Sequence, residues 1–121
     1  MNTVTFLALV ITTVYAVRVE VTLNGTFTCS YNEDPVTVDL WEWDLFDDDK
    51  LDSQTVFVGA NFSLSGVEDE WFDIQPYMTI IHRCNSCGKY VVIKHDLGNL
   101  EKDETFTFYG LKLDESSCCS E

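Results

Sequence analysis

Positive charge is what this 121-residue sequence has least of: seven Lys and Arg stand against twenty-one Asp and Glu, a formal net charge of −14. A nucleic-acid partner is not expected of such a chain, because phosphate backbones are bound by neutralising them with Lys and Arg. An anionic phospholipid surface is disfavoured by the same Coulomb repulsion, unless a bound cation inverts the local sign. Long apolar runs are also scarce. A membrane-spanning helix needs roughly 20 apolar residues, and nothing beyond the first sixteen residues approaches that. There is no amphipathic helical periodicity, no internal repeat and no low-complexity linker. Gly-x-Ser-x-Gly elbows, phosphate loops and paired-carboxylate sites are missing too, so neither an enzyme nor a cofactor is expected.

What is present begins with an uncharged segment. Val4 to Val14 is apolar except for Thr5, Thr12 and Thr13, and Tyr15-Ala16 follows. Residues 1–16 read as a secretory signal peptide with cleavage after the small Ala16, because Arg18 and Glu20 interrupt the run before it could span a bilayer. Residues 17–121 then form one extracellular domain large enough to bury a modest core.

Five cysteines, Cys29, Cys84, Cys87, Cys118 and Cys119, fit two bridges and one odd thiol in an oxidising compartment, the odd one left to pair between chains. Two sequons, Asn24-Gly25-Thr26 and Asn61-Phe62-Ser63, make Asn24 and Asn61 candidate glycan acceptors, a modification confined to chains entering the secretory route. Cys84-Asn85-Ser86-Cys87, with His82 and His95 nearby, has the composition of a zinc or redox dithiol site. No helix is expected after it to depress a thiol pKa, so structural disulfide cysteines are the preferred reading.

Short runs rich in Val, Ile, Phe, Tyr, Trp and Thr alternate with clusters of Asp, Asn, Gly, Ser and Pro. They cover Arg18 to Ser30, Val36 to Phe46, Thr55 to Val58, Ala60 to Ser65, Tyr77 to Cys84, Lys89 to His95 and Thr105 to Leu113. Seven short strands in one small domain predict an all-β sandwich.

Several motifs then occur in order: Phe62-Ser63-Leu64-Ser65-Gly66, Glu68-Asp69-Glu70, Asp73-Ile74-Gln75-Pro76-Tyr77 and Ile81-His82-Arg83-Cys84-Asn85. This block resembles the nematode transthyretin-like family. The flanks are similar as well: Gly25 to Cys29 resembles its first strand, Val36 to Asp44 its second and Thr105 to Leu113 its last. The resemblance implies a transthyretin-like (prealbumin-type) seven-stranded β-sandwich of two sheets and a secreted product. One member is similar to an adaptor that bridges phosphatidylserine on dying cells to a phagocyte receptor. This chain departs from the family pattern at Val58-Gly59-Ala60, where Asp-Ser-Asn-Gly is usual, in a more aromatic second strand, and in its acidity. If the first and last strands run parallel, as the family fold implies, Cys29 reaches Cys118 or Cys119 and Cys84 is left with Cys87; the sequence itself leaves the connectivity open.

Strand alternation sends Val36, Val38 and Leu40 to one face and Trp41, Trp43 and Leu45 to the other. The family pattern buries the first set. The same counting puts Met78, Ile80 and His82 inward and Tyr77, Thr79 and Ile81 outward, then Tyr90 and Val92 inward and Val91 and Ile93 outward. Because the family strand order sets these strands side by side, Trp41, Trp43, Ile81, Val91 and Ile93 are expected to form one apolar patch on the outer sheet face. Such a patch marks a partner or self-association surface, or packing beneath a terminal segment, loop or glycan. His82 is expected to be a hydrogen-bonded core histidine.

The leading expectation is a secreted, non-enzymatic interaction protein that uses this face to recognise an extracellular protein or apolar ligand, with a disulfide-linked or patch-mediated homodimer as a further outcome. A second reading is a calcium-dependent phospholipid or receptor adaptor. Its calcium candidates are Asp44, Asp47, Asp48, Asp49 and Asp52, a dense carboxylate cluster without EF-hand spacing, and Glu68, Asp69 and Glu70 make a weaker set. A third is a hydroxyisourate-type hydrolase, since transthyretin-like folds include such enzymes. Their first-strand His and Tyr-Arg-Gly-Ser terminus have no counterpart here, where the chain ends Ser116-Ser117-Cys118-Cys119-Ser120-Glu121.

Overall fold

The computed structural model describes residues 17–70 and 73–114. The signal-peptide reading of 1–16 and the tail cysteines Cys118 and Cys119 lie outside them. Among the described residues there are seven strands and no helix: β1 Val17–Thr28, β2 Val36–Glu42, β3 Asp49–Val56, β4 Phe62–Glu70, β5 Pro76–His82, β6 Val91–Asp96 and β7 Glu104–Lys112. They form a three-stranded sheet, order β4-β1-β7, and a four-stranded sheet, order β3-β2-β5-β6. β1 runs antiparallel to β4 and parallel to β7, whereas every pairing in the larger sheet is antiparallel. This is the transthyretin-like all-β sandwich.

Alternation explains which side of each strand is buried. Val19, Val21, Leu23 and Phe27 from β1 meet Val36, Val38 and Leu40 from β2 and Met78 and Ile80 from β5 between the sheets. Phe62 of β4 stacks on Phe27 with ring centroids 4.8 Å apart. Position 25 must be Gly: a Cβ there would stand 2.6 Å from the Phe108 carbonyl oxygen and 2.9 Å from the Phe62 ring, well inside van der Waals contact. His82 is fully buried, and its Nδ1 accepts the backbone N–H of Cys84 at 2.9 Å.

Three strands differ from the sequence expectation. β3 runs through Asp49-Lys50-Leu51-Asp52-Ser53-Gln54, expected to be loop. As an edge strand beside β2 it has no need of apolar outward residues, and charged edges are a common protection against unwanted pairing. β4 continues to Glu70 because it pairs along the whole first half of β1. In β6 the phase is the opposite of the one expected: Ile80 pairs with Ile93 and Ile81 with Val92, so Val91 and Ile93 face inward and Val92 is 64% exposed.

The disulfide pairing differs as well. Cys29, just after β1, is bonded to Cys84, just after β5, so the bridge joins the two sheets. Both strands end at the same pole, where the Asn32 amide donates to the Arg83 carbonyl oxygen at 2.9 Å. Cys87 is disulfide-bonded in its own right, not to Cys84.

Candidate functional site

The outer face of the four-stranded sheet is built from three rows that run across all its strands. The first is Thr55, Thr37, Ile81 and Val92, and the second is Ser53, Asp39, Thr79 and Lys94. The third is Lys50, Trp41, Tyr77 and Asp96, where a bulge in the β2–β3 pairing after Leu40 brings Trp41 opposite Lys50. Trp41 and Ile81 therefore stand where the alternation places them, but the face is mixed in chemistry and not a continuous apolar patch. Trp43 lies beyond the end of β2, 45% exposed, held by its backbone N–H to the Gln75 carbonyl oxygen at 3.0 Å. Val91 and Ile93 belong to the inner face, and Val92 supplies the apolar surface beside Ile81.

The third row is an aromatic pair between cations. Trp41 and Tyr77 lie parallel with centroids 6.1 Å apart; Lys50 Nζ sits 5.2 Å over the Trp41 ring and Lys94 Nζ 4.4 Å over Tyr77. Each such cation contact contributes about 0.5–1 kcal/mol at an exposed site. The Trp41 indole N–H donates to Thr79 Oγ1 at 2.9 Å, so the ring's orientation is set by its neighbours. Asp39, only 4% exposed, accepts the Ser53 hydroxyl at 2.5 Å in the row above.

Tyr77 also anchors the β2–β3 loop. Its hydroxyl donates to Asp48 Oδ2 at 2.5 Å, and Asp48 Oδ1 accepts the Asp44 N–H at 3.0 Å. Burial first, and then the hydrogen bond and charge of Asp48, push the Tyr77 phenol up to about 12. The donated hydroxyl, helped by the Asp44 amide, holds the Asp48 carboxyl below its ordinary value. The pinned loop projects Leu45 and Phe46, 74% and 93% exposed, beside Trp43. Alternation set Leu45 on the outward face, but the expected patch included neither it nor Phe46, although an adjacent Leu-Phe flanked by Asp44 and Asp47 inside a turn was the available signal.

Between this loop and the end of β6 lies a half-open depression of about 290 Å³, bounded by Trp43, Gln75, Tyr77, Lys94, Asp96 and Asn99. Its floor is fixed from below. Ile74 and Leu100 exchange backbone hydrogen bonds at 3.0 and 2.8 Å, and Leu97 N–H reaches the Pro76 carbonyl oxygen at 3.1 Å. Gly98, with φ of 90°, makes the left-handed turn that β-carbon-bearing residues rarely adopt.

The calcium candidates do not converge. Asp44 accepts the Phe46 N–H, Asp48 serves Tyr77 and Asp44, and Asp52 accepts the N–H groups of Ser53 and Ser65. Asp47 lies exposed on the loop. Asp49 instead meets Glu42 and Glu68 between the sheets, with their carboxylate oxygens within 4.8 Å of one another. The candidate glycan acceptors are on the other sheet: Asn24 is on the outer side of β1, accepting the Ser63 hydroxyl at 2.9 Å, and Asn61 is exposed just before β4.

The family model that matches this sequence is that of the transthyretin-like family, over residues 24–96. The chain belongs to that family. It is also 34% identical over 102 residues to Transthyretin-like protein 16 of Caenorhabditis elegans, covering 77% of this chain and 76% of that protein. The matched span includes β2, β3, β5 and β6, and so every residue of the outer face and of the loop. A solved 9R-lipoxygenase from Cyanothece aligns with 82% of this chain and 16% of its own, at 11% identity and a TM-score of 0.32. That likeness is too low to carry an argument about fold or chemistry. Among the described residues no helix is long and apolar enough to cross a membrane.

Proposed function

We propose that this family member is a secreted, non-enzymatic interaction protein, and that it recognises an extracellular protein through the outer face of the β3-β2-β5-β6 sheet and the loop at its end. The observation that carries the reading is the exposure of Leu45 and Phe46 at 74% and 93% on a loop that Asp48 and Tyr77 hold in place. Burying each of these side chains in a partner would contribute about 1.5–3 kcal/mol. A loop already ordered loses little further entropy on binding. Trp41, Trp43 and Tyr77 extend the surface with residue types enriched at binding hot spots. The sequons at Asn24 and Asn61 support the same reading, because glycans there would leave this face clear.

A calcium-bridging reading is less well supported, since the loop carboxylates spend their oxygens on their own chain. The test is affinity capture from extracellular fluid, with the oxidised protein compared with a Trp43→Ser, Leu45→Ser, Phe46→Ser variant of unchanged Tm. A partner retained by the parent and lost by the variant is expected. Identical partner lists would move recognition elsewhere on the molecule.

A further inference from the structure

The depression beside Trp43 has a chemistry of its own. We propose that it is a subsite for one neutral sugar residue, a hexose or N-acetylhexosamine, carried by a saccharide or by a partner's glycan. The inference rests for its setting on the recognition reading above, and names a ligand class for one part of that surface.

Three features converge on this class. Of the three rings at this end of the sheet, Trp41 and Tyr77 already carry Lys50 and Lys94 over a face, whereas Trp43 stands 45% exposed at the rim. The face of an aromatic ring is electron-rich and attracts the weakly positive C–H bonds of a pyranose. Gln75, Asp96 and Asn99 line the same depression, residue types whose planar amide or carboxylate ends can engage two vicinal hydroxyls at once, and Lys94 adds a further donor. Asp96 and, behind the Tyr77 hydroxyl, Asp48 stand against Lys94, so a phosphate or carboxylate ligand meets carboxylates and a cationic one meets Lys94. Walls that carry both signs favour a ligand that is polar and uncharged.

Size and rigidity agree. A volume of about 290 Å³ is at the small end of ligand sites, which run from about 300 to 1,000 Å³. That is room for one ring, not for an extended apolar ligand. The backbone beneath the walls is fixed by the Trp43–Gln75, Leu97–Pro76 and Ile74–Leu100 hydrogen bonds, so less ordering of the main chain is needed when a ligand arrives. Affinity is expected to be weak for a single residue, because the depression is half open.

The test is a nitrogen-15 NMR titration of the oxidised protein with the methyl glycosides of glucose, galactose, mannose and N-acetylglucosamine. Saturable shifts confined to the Trp43 indole and the Gln75, Gly98 and Asn99 amides are expected for at least one of them, with half-saturation in the millimolar range. A Gln75→Ala, Asn99→Ala variant should weaken that binding at least tenfold, and Tyr109→Ser, on the opposite sheet, should leave it unchanged. No saturable shift with any glycoside, or equal binding by the double variant, overturns the proposal. Removing glycans from a captured partner separates the sources: lost capture places the sugar on the partner, and retained capture with a working titration places it on a free saccharide. Capture abolished by Leu45→Ser, Phe46→Ser while glycosides still titrate tests the two readings apart.

Discussion

Tyr77 connects the sheet to the loop through one hydroxyl, and its titration reports whether that connection exists in solution. Its phenol is pushed up to about 12, against about 10 when unfolded. The folded state therefore holds this proton longer than the unfolded one. The associated stability is fully present below pH 10 and is lost as pH rises from about 10 through 12. Asp48 works in the opposite direction: its lowered value contributes stability above the ordinary carboxylate range, lost as pH falls through the folded value. Tyrosinate absorbance should show one phenol titrating well above the ordinary range. In Asp48→Asn that phenol should shift down, although burial keeps it above 10, and a wild-type protein with every phenol near 10 would contradict the contact. Trp41, Ile81 and His82 were legible from alternation once the family resemblance set which face is buried. The Tyr77–Asp48 pair was not, because it joins residues 29 apart in sequence through a loop whose path no periodicity encodes.

At the scale of elements, β6 shows where sequence reasoning loses its footing. Tyr90-Val91-Val92-Ile93 is apolar at every position, so alternation supplies a period without a phase, and a slip of one residue exchanges the two faces. Pairing with β5 sets the phase: Ile93 lies opposite Ile80 and packs against the core, while Val92 is in water. Ile93→Ser should therefore destabilise by about 2–3 kcal/mol, and Val92→Ser by no more than about 0.5 kcal/mol, as read from denaturant midpoints. Reversed costs would restore the outward placement of Ile93. Only the Thr55-Val56 end of β3 was legible: the run Asp49 to Gln54 before it satisfies an edge strand's needs and carries none of the β-branched signal that marks an interior one. Between β1 and β7 the backbones approach so closely that Gly25→Ala should cost about 1–3 kcal/mol in the same assay, and an unchanged midpoint would mean that the strands can separate to admit a methyl group.

For the whole molecule, the sandwich was legible because its two sheets repeat a period-two pattern over strands that the family motif orders. The cysteine map was not, since pairing depends on which strand ends share a pole. The Cys29–Cys84 bridge closes a 55-residue separation and ties one sheet to the other. A Cys29→Ala, Cys84→Ala variant should lose about 2–5 kcal/mol, visible as a lowered Tm in calorimetry, and an unaltered Tm would show that the sheets hold together without it. The cross-link ties the sheets at one pole and the Tyr77–Asp48 contact pins the loop at the other, and the proposed function makes that loop the recognition end of an acidic body. The most direct test of that claim is to place a photo-reactive phenylalanine at position 46, and separately at position 109 on the other sheet, and to irradiate each protein in extracellular fluid. A discrete cross-linked product from position 46 and none from position 109 is the predicted result; products of equal yield from both, or from 109 alone, would contradict it.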